Sequence, residues 1–162
     1  MRSKVLLALA LAAFATSAAA QTVPAGSGTL NGGQRIQASG CGKDTDSMSV
    51  ALNLAANGTW TATVDGDDFS GTSSSSGRVT TLTLDGGSLA ELGEELEEEA
   101  TELCEESVAI TSLSVTQAQL KLNKRRTMAK LQLKASGTGM TSGGSGTGKF
   151  RLKANGAWQT LP

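Results

Sequence analysis

The sequence predicts a mainly β fold: an antiparallel meander of eight to nine strands forming a small barrel, with one amphipathic helix inserted mid-chain at about 88–106. Three observations carry that expectation. Apolar residues alternate with polar ones along most of the chain, the period of a half-buried strand. Turn dipeptides separate the alternating runs at short intervals. The period changes once, to that of a helix, just after Gly86-Gly87. A meander of this size removes its edges by closing on itself. Two packed sheets satisfy the same pattern and stay open as the alternative.

The first strand is expected over Thr29–Ala38, weakened by Gly32-Gly33. Met48, Val50, Leu52 and Leu54 then alternate with small polar residues, and Trp60, Ala62 and Val64 alternate with threonines. Between these runs lies Ala56-Asn57-Gly58. A two-residue turn at Asn-Gly would put Trp60 on the face opposite the Met/Val/Leu stripe. A three-residue loop with Gly58 left-handed instead sets Leu54 opposite Trp60, Leu52 opposite Ala62 and Val50 opposite Val64. A buried sheet face requires the second register.

The same phrase recurs as Ala154-Asn155-Gly156-Ala157-Trp158. By the same rule it predicts a second bulged hairpin, with Leu152 opposite Trp158 and Phe150 opposite Thr160. Both tryptophans are expected as inward-facing plugs.

Asp65-Gly66 predicts a turn into a short strand near Phe69, Ser73–Gly77 a polar loop, and Arg78–Asp85 a strand carrying Leu82 and Leu84. Ser88 followed by Glu91 reads as a capping box. After it, Leu89, Leu92, Leu96, Ala100 and Leu103 recur at helical spacing. Beyond the helix the apolar parity changes between Val115 and Ala118, which predicts a bulge near Thr116-Gln117. Lys124-Arg125-Arg126 makes a turn, and Met128–Ala135 is a strand carrying Leu131 and Leu133. Gly137–Gly148, nearly all Gly, Ser and Thr, reads as a mobile loop or an elongated hairpin.

Residues 1–20 read as a signal peptide. Arg2 and Lys4 precede an apolar run, and Ala18-Ala19-Ala20 supplies the small residues that signal peptidase accepts, so cleavage is expected after Ala20. The expected product is one domain over 21–162, soluble, and periplasmic or secreted. In that compartment Cys41 and Cys104 are expected to form a disulfide.

An alternating strand followed by N-G-x-W and a second alternating strand resembles the bacterial exported lipocalin-like, or calycin-type, β-barrel domains. Leu52, Leu54, Gly58 and Trp60 carry the resemblance, with Leu152, Gly156 and Trp158 as a second instance. Lipocalins place their G-x-W at the first strand and their long helix near the C-terminus; here the motif follows the second strand and the helix lies mid-chain. The resemblance implies an up-and-down barrel able to hold a small apolar or amphipathic ligand. Interior candidates are Leu52, Leu54, Trp60, Phe69, Leu131, Leu133, Phe150, Leu152 and Trp158.

Composition narrows the chemistry. The chain has no His, so neither a Ser-His-Asp triad nor a His-ligated zinc site can form. Disulfide-bonded cysteines leave no thiol nucleophile, and no phosphate loop or dinucleotide fingerprint is present. No catalytic residue, cofactor or metal is expected. Asp65, Asp67 and Asp68 could offer oxygens to calcium, but their spacing matches no EF-hand and Asp-Gly is accounted for by the turn. With no Tyr and few other aromatics, a stacking surface for single-stranded nucleic acid would be thin, and nucleic acid is not an expected partner.

Charge is segregated along the chain. The 14 Lys and Arg nearly balance 15 Asp and Glu; without Arg2 and Lys4 the basic count is 12. Nine glutamates fall between Glu91 and Glu106, while Ser107–Pro162 holds nine Lys or Arg and no acid. Lys121, Lys130, Lys134, Lys149, Arg151 and Lys153 all take the parity opposite the buried leucines, which predicts a basic stripe on neighbouring strands. Three meanings are open for it: a site for an anionic envelope component or another polyanion, protection of sheet edges, or internal neutralisation by the acidic helix. A structural envelope role is a further possibility. The expected function is therefore that of an exported, non-enzymatic binding protein, with its ligand inside the barrel or on this stripe.

Overall fold

A computed structural model describes residues 25–162; the expected signal peptide and its cleavage point lie outside the described residues. Eight strands run in chain order around a closed antiparallel barrel: β1 (Gly26–Ala38), β2 (Gly42–Leu54), β3 (Thr59–Val64), β4 (Asp67–Ser76), β5 (Val79–Leu84), β6 (Ala109–Leu122), β7 (Met128–Thr141) and β8 (Gly144–Ala157). One helix, α1 (Gly86–Cys104), lies between β5 and β6, and a two-residue β9 (Gln159–Thr160) adds to the start of β1. β1 pairs with both β2 and β8, which closes the ring and removes the sandwich alternative.

Inward parity is mostly apolar: Leu30, Ile36, Val50, Leu52, Leu54, Leu120, Leu131, Phe150 and Leu152 are all buried, with the buried Thr80 and the half-buried Gln34 among the polar exceptions. The alternate positions are mostly Ser, Thr, Asn, Gln, Lys and Arg, with Met128 and Met140 as exposed apolar exceptions; a membrane barrel has an apolar outside. Among the described residues no helix is long and apolar enough to cross a membrane.

The β2–β3 corner takes the bulged register. Val50, Leu52 and Leu54 stand opposite Val64, Ala62 and Trp60. Gly58 is left-handed at φ 83°, and the Asn57 side chain accepts from the Thr59 amide at 3.0 Å. Both tryptophans are buried, at 5 % and 4 % exposure. Trp60 stands opposite Gly71, and its indole donates to the Thr72 carbonyl at 2.9 Å. The Trp158 indole N–H has no hydrogen-bond partner among the described residues.

The second copy of the phrase is not a corner. Ala154-Asn155-Gly156 lies inside β8, which pairs β7 on one side and β1 on the other. Leu152 therefore faces Leu133 and Gln34 instead of Trp158, and Phe150 faces Ala135 and Ile36 instead of Thr160. The tripeptide permits a turn, but hydrogen bonds on both edges of β8 hold it extended. Gly156 serves a close approach here: a Cβ at this position would sit 2.2 Å from the Thr29 carbonyl oxygen.

Three smaller expectations change as well. Ser73–Ser76 belong to β4, and the turn falls at Gly77-Arg78; the serines can be strand because β5 pairs them through Ser76↔Val79. For Gly137–Gly148 the loop reading falls away and the elongated-hairpin alternative holds, in register as far as Thr141↔Gly144. The helix starts two residues early, capped by Asp85, whose side chain accepts from the Ser88 amide at 2.8 Å. Hydrogen bonds from the Ser70 hydroxyl and the Ser88 amide hold the Asp85 carboxyl below the usual range. Ser88 is instead buried, and its hydroxyl accepts from the Ser70 amide at 2.7 Å. The expected bulge is present, between Val115 and Gln117.

Candidate functional site

Up-and-down order puts the β1–β2, β3–β4 and β7–β8 turns at one end of the barrel, together with α1. Leu92 and Leu96 of α1 are buried in the apolar core, so the helix closes that mouth. The Cys41–Cys104 disulfide, spanning 63 residues, ties the β1–β2 turn to the helix C-terminus. In the chain-entropy model a loop of that length stabilises the fold by about 4 kcal/mol.

The interior candidates from the sequence come together. Leu52, Leu54, Trp60, Phe69, Leu131, Phe150, Leu152 and Trp158 are buried, and Leu133 is half-buried. They leave little space. The void among Leu52, Trp60, Phe69, Leu131, Phe150 and Leu152 is about 60 Å³. A second, of about 80 Å³, lies under the C-terminal half of α1 against Ile36, Ala135 and the disulfide. Pockets that enclose small organic ligands are roughly 300–1,000 Å³. In this state the barrel is filled.

The mouth is acidic. The Glu99 side chain accepts from Gln34 Nε2 at 3.0 Å, and Glu97 accepts from the Ile110 amide at 2.8 Å. Burial is the largest influence on Glu95; the hydrogen-bonded Asp67 carboxyl and the charges of Asp67, Glu91 and Glu99 add to it, pushing its carboxyl up to about 7. Glu99 is raised in the same way, first by burial and then by Asp46. Glu99 and Glu97 thus bond to inward or backbone groups of β1 and β6, not to the outward cations of those strands. Asp68, by contrast, is exposed and accepts from the Thr63 hydroxyl at 2.6 Å.

The basic residues form one outer wall. Lys121, Lys130, Lys134, Lys149, Arg151 and Lys153 all lie on the outside of β6, β7 and β8; Lys134 is half-buried and the others are exposed. Register brings like charges together, with Lys121 opposite Lys130 and Lys134 opposite Arg151. The wall continues onto β1, where Arg35 stands opposite Arg151. Sequence reasoning missed Arg35. Its parity was readable from the inward neighbours Gln34 and Ile36, but Gly32-Gly33 blurred the alternation that would have exposed it. Outward positions of β6, β7, β8 and β1 carry no acid.

Two of the three meanings open for this stripe lose their premise. The basic positions are paired with a neighbouring strand on both sides, so they guard no free edge. Among the described residues, Glu99 and Glu97 of α1 bond to Gln34 and the Ile110 amide, and Glu106 just after the helix accepts from the Ser142 hydroxyl; none of these bonds goes to an outer cation. Opposed like charges reduce sheet stability; folding alone does not account for the arrangement.

The chain finds no match among protein-family models, curated proteins or solved structures. The closed barrel is compatible with a lipocalin-like one.

Proposed function

We propose that this is an exported, non-enzymatic binding protein that engages an anionic envelope component or similar polyanion through the outer wall of β6, β7, β8 and β1. One observation carries the reading: the wall gathers basic residues, several in directly opposed pairs and without an acid among them, at positions already paired on both sides. Electrostatic attraction of this kind concentrates and orients an anionic partner before contact. The disulfide supports export, since such bonds persist in oxidising compartments. The absence of His and of a free thiol favours binding over catalysis.

Binding of heparin and of lipopolysaccharide to the purified protein tests the reading. Affinity is expected to fall steeply between 50 and 200 mM salt, by about tenfold or more. Exchanging Lys149 and Lys153 for Glu should reduce it further. Salt-independent binding that survives both exchanges would contradict the reading.

A second reading follows the lipocalin-like resemblance and places a small apolar ligand inside the barrel. The apolar lining beneath a single covering helix favours it. With a void of about 60 Å³, such a ligand requires α1 to lift. Native mass spectrometry and lipid extraction decide this reading; recovery of protein with no bound lipid under either would end it.

A further inference from the structure

The outer wall is not uniform. At the junction of β8 and β1, Arg151 stands opposite Arg35 and Lys149 opposite Gln37. These four side chains line a surface depression of about 240 Å³. Elsewhere on the wall Lys121 and Lys130 form a further opposed pair and Lys153 stands opposite Gln132, but none of the three lines this depression.

We infer that Arg35, Arg151, Lys149 and Gln37 form a site for a tetrahedral oxyanion, a sulfate or phosphate group carried by an extended polyanion. The inference rests on the outer wall being the binding surface and assigns its specificity. Three features argue for it. Two guanidinium groups come from directly opposed positions, where Cβ atoms lie about 4.5–5.5 Å apart. A guanidinium presents paired N–H donors that match two oxygens of one group. Lys149 adds a compact positive charge, and the Gln37 carboxamide adds neutral N–H donors, so charge and hydrogen-bond capacity converge on one place.

Register excludes internal compensation. Arg35 is flanked in the sheet by Thr45 and Arg151, and Arg151 by Lys134 and Arg35. Lys149 is flanked by Ser136 and Gln37. No carboxylate stands opposite any of the three. A carboxylate can bridge two guanidiniums but offers acceptors only near one plane, whereas a tetrahedral group directs oxygens to both strands and to Lys149 at once. The flanking Lys134 and Lys153 extend the positive surface on either side, as a polymer bearing repeated groups requires.

Calorimetric titration separates the sources of the group. Inorganic sulfate and phosphate probe the depression alone; heparin probes a sulfated polymer; polyglutamate probes a carboxylate polymer. Heparin is expected to bind at least about 100-fold more tightly than either free ion, because neighbouring groups raise the effective concentration, and more tightly than polyglutamate. The variant R35K/R151K keeps every charge and loses both forks; it should lose about tenfold or more in heparin affinity. The variant K121Q/K130Q, which removes two charges outside the depression, should lose less. Equal losses in the two variants, or full binding by R35K/R151K, would overturn the site while leaving the wall as a binding surface. No heparin binding by the native protein at 50 mM salt would overturn both. Arg35 and Arg151 are exposed, so thermal unfolding of each variant should match that of the native chain within a few degrees, which separates lost binding from lost folding.

Discussion

Arg35 on β1 stands directly opposite Arg151 on β8, two cations paired across the seam that closes the barrel. Opposed like charges in a sheet cost about 0.2–1 kcal/mol. Replacing Arg35 with Thr removes the repulsion and adds a good strand former. The variant should melt about 1–4 °C higher than the native protein in low salt. Salt near 1 M should erase most of the difference, since screening then acts within a few ångströms. A lower melting temperature for R35T at low salt would count against the seam being electrostatically strained.

Glu95 makes stability depend on pH. Its carboxyl is pushed up to about 7 from an ordinary 4.5, so the folded protein holds this proton more tightly than the unfolded chain does. The stabilisation is fully present below about pH 4.5 and is lost as pH rises through about 7. E95Q imitates the protonated form. It should match the native protein at pH 4.5 and melt higher at pH 8. Because Glu95 is only half-buried, solvent screening holds the gain to about 1 kcal/mol, or roughly 2–4 °C. Melting curves that stay parallel from pH 4.5 to 8 would remove Glu95 from the account.

The disulfide should matter most for α1. Removing it by C41S/C104S is expected to lower the unfolding free energy by about 4 kcal/mol, read from urea denaturation. Reductant should reproduce the loss in the native chain and leave the double variant unchanged. A shift below about 1 kcal/mol would mean that packing of Leu92 and Leu96 alone holds the helix.

The two copies of the A-N-G phrase should respond differently to one chemical change. G58A forces a left-handed turn position onto a residue with a Cβ, a cost of about 1–2 kcal/mol. G156A drives a Cβ toward the Thr29 carbonyl at the β8–β1 seam. Overpacking of that kind typically costs about 1–3 kcal/mol, and the contact with rigid backbone places G156A at the upper end. Equal effects on thermal unfolding would argue for two equivalent corners.

The same pair of phrases marks how far the sequence could be read. The β2–β3 corner was legible because only one register puts Leu54 and Trp60 on the same face. The Thr116-Gln117 bulge was legible for the same reason, as a change of parity. Ala154-Asn155-Gly156 carries the identical local signal, yet long-range pairing to β7 and β1 decides its conformation. Ser73–Ser76 lack apolar residues and become strand only because β4 has partners. Asp85 displaced Ser88 as helix cap because β4 supplies Ser70, a contact no local motif contains. The six basic positions were readable from parity alone. Their completion by Arg35 depends on closure, the one relationship that joins the first strand to the eighth.

The central claim is that the outer wall, not the barrel interior, receives the ligand. Backbone amide mapping by NMR during titration with a heparin oligosaccharide tests it most directly. Shifts are expected to concentrate on Arg35 and Gln37 of β1 and Lys149 to Lys153 of β8, with smaller changes at Lys134. Shifts confined to α1 and the inward residues around Trp60 and Phe150, or no saturable shifts at all, would contradict it.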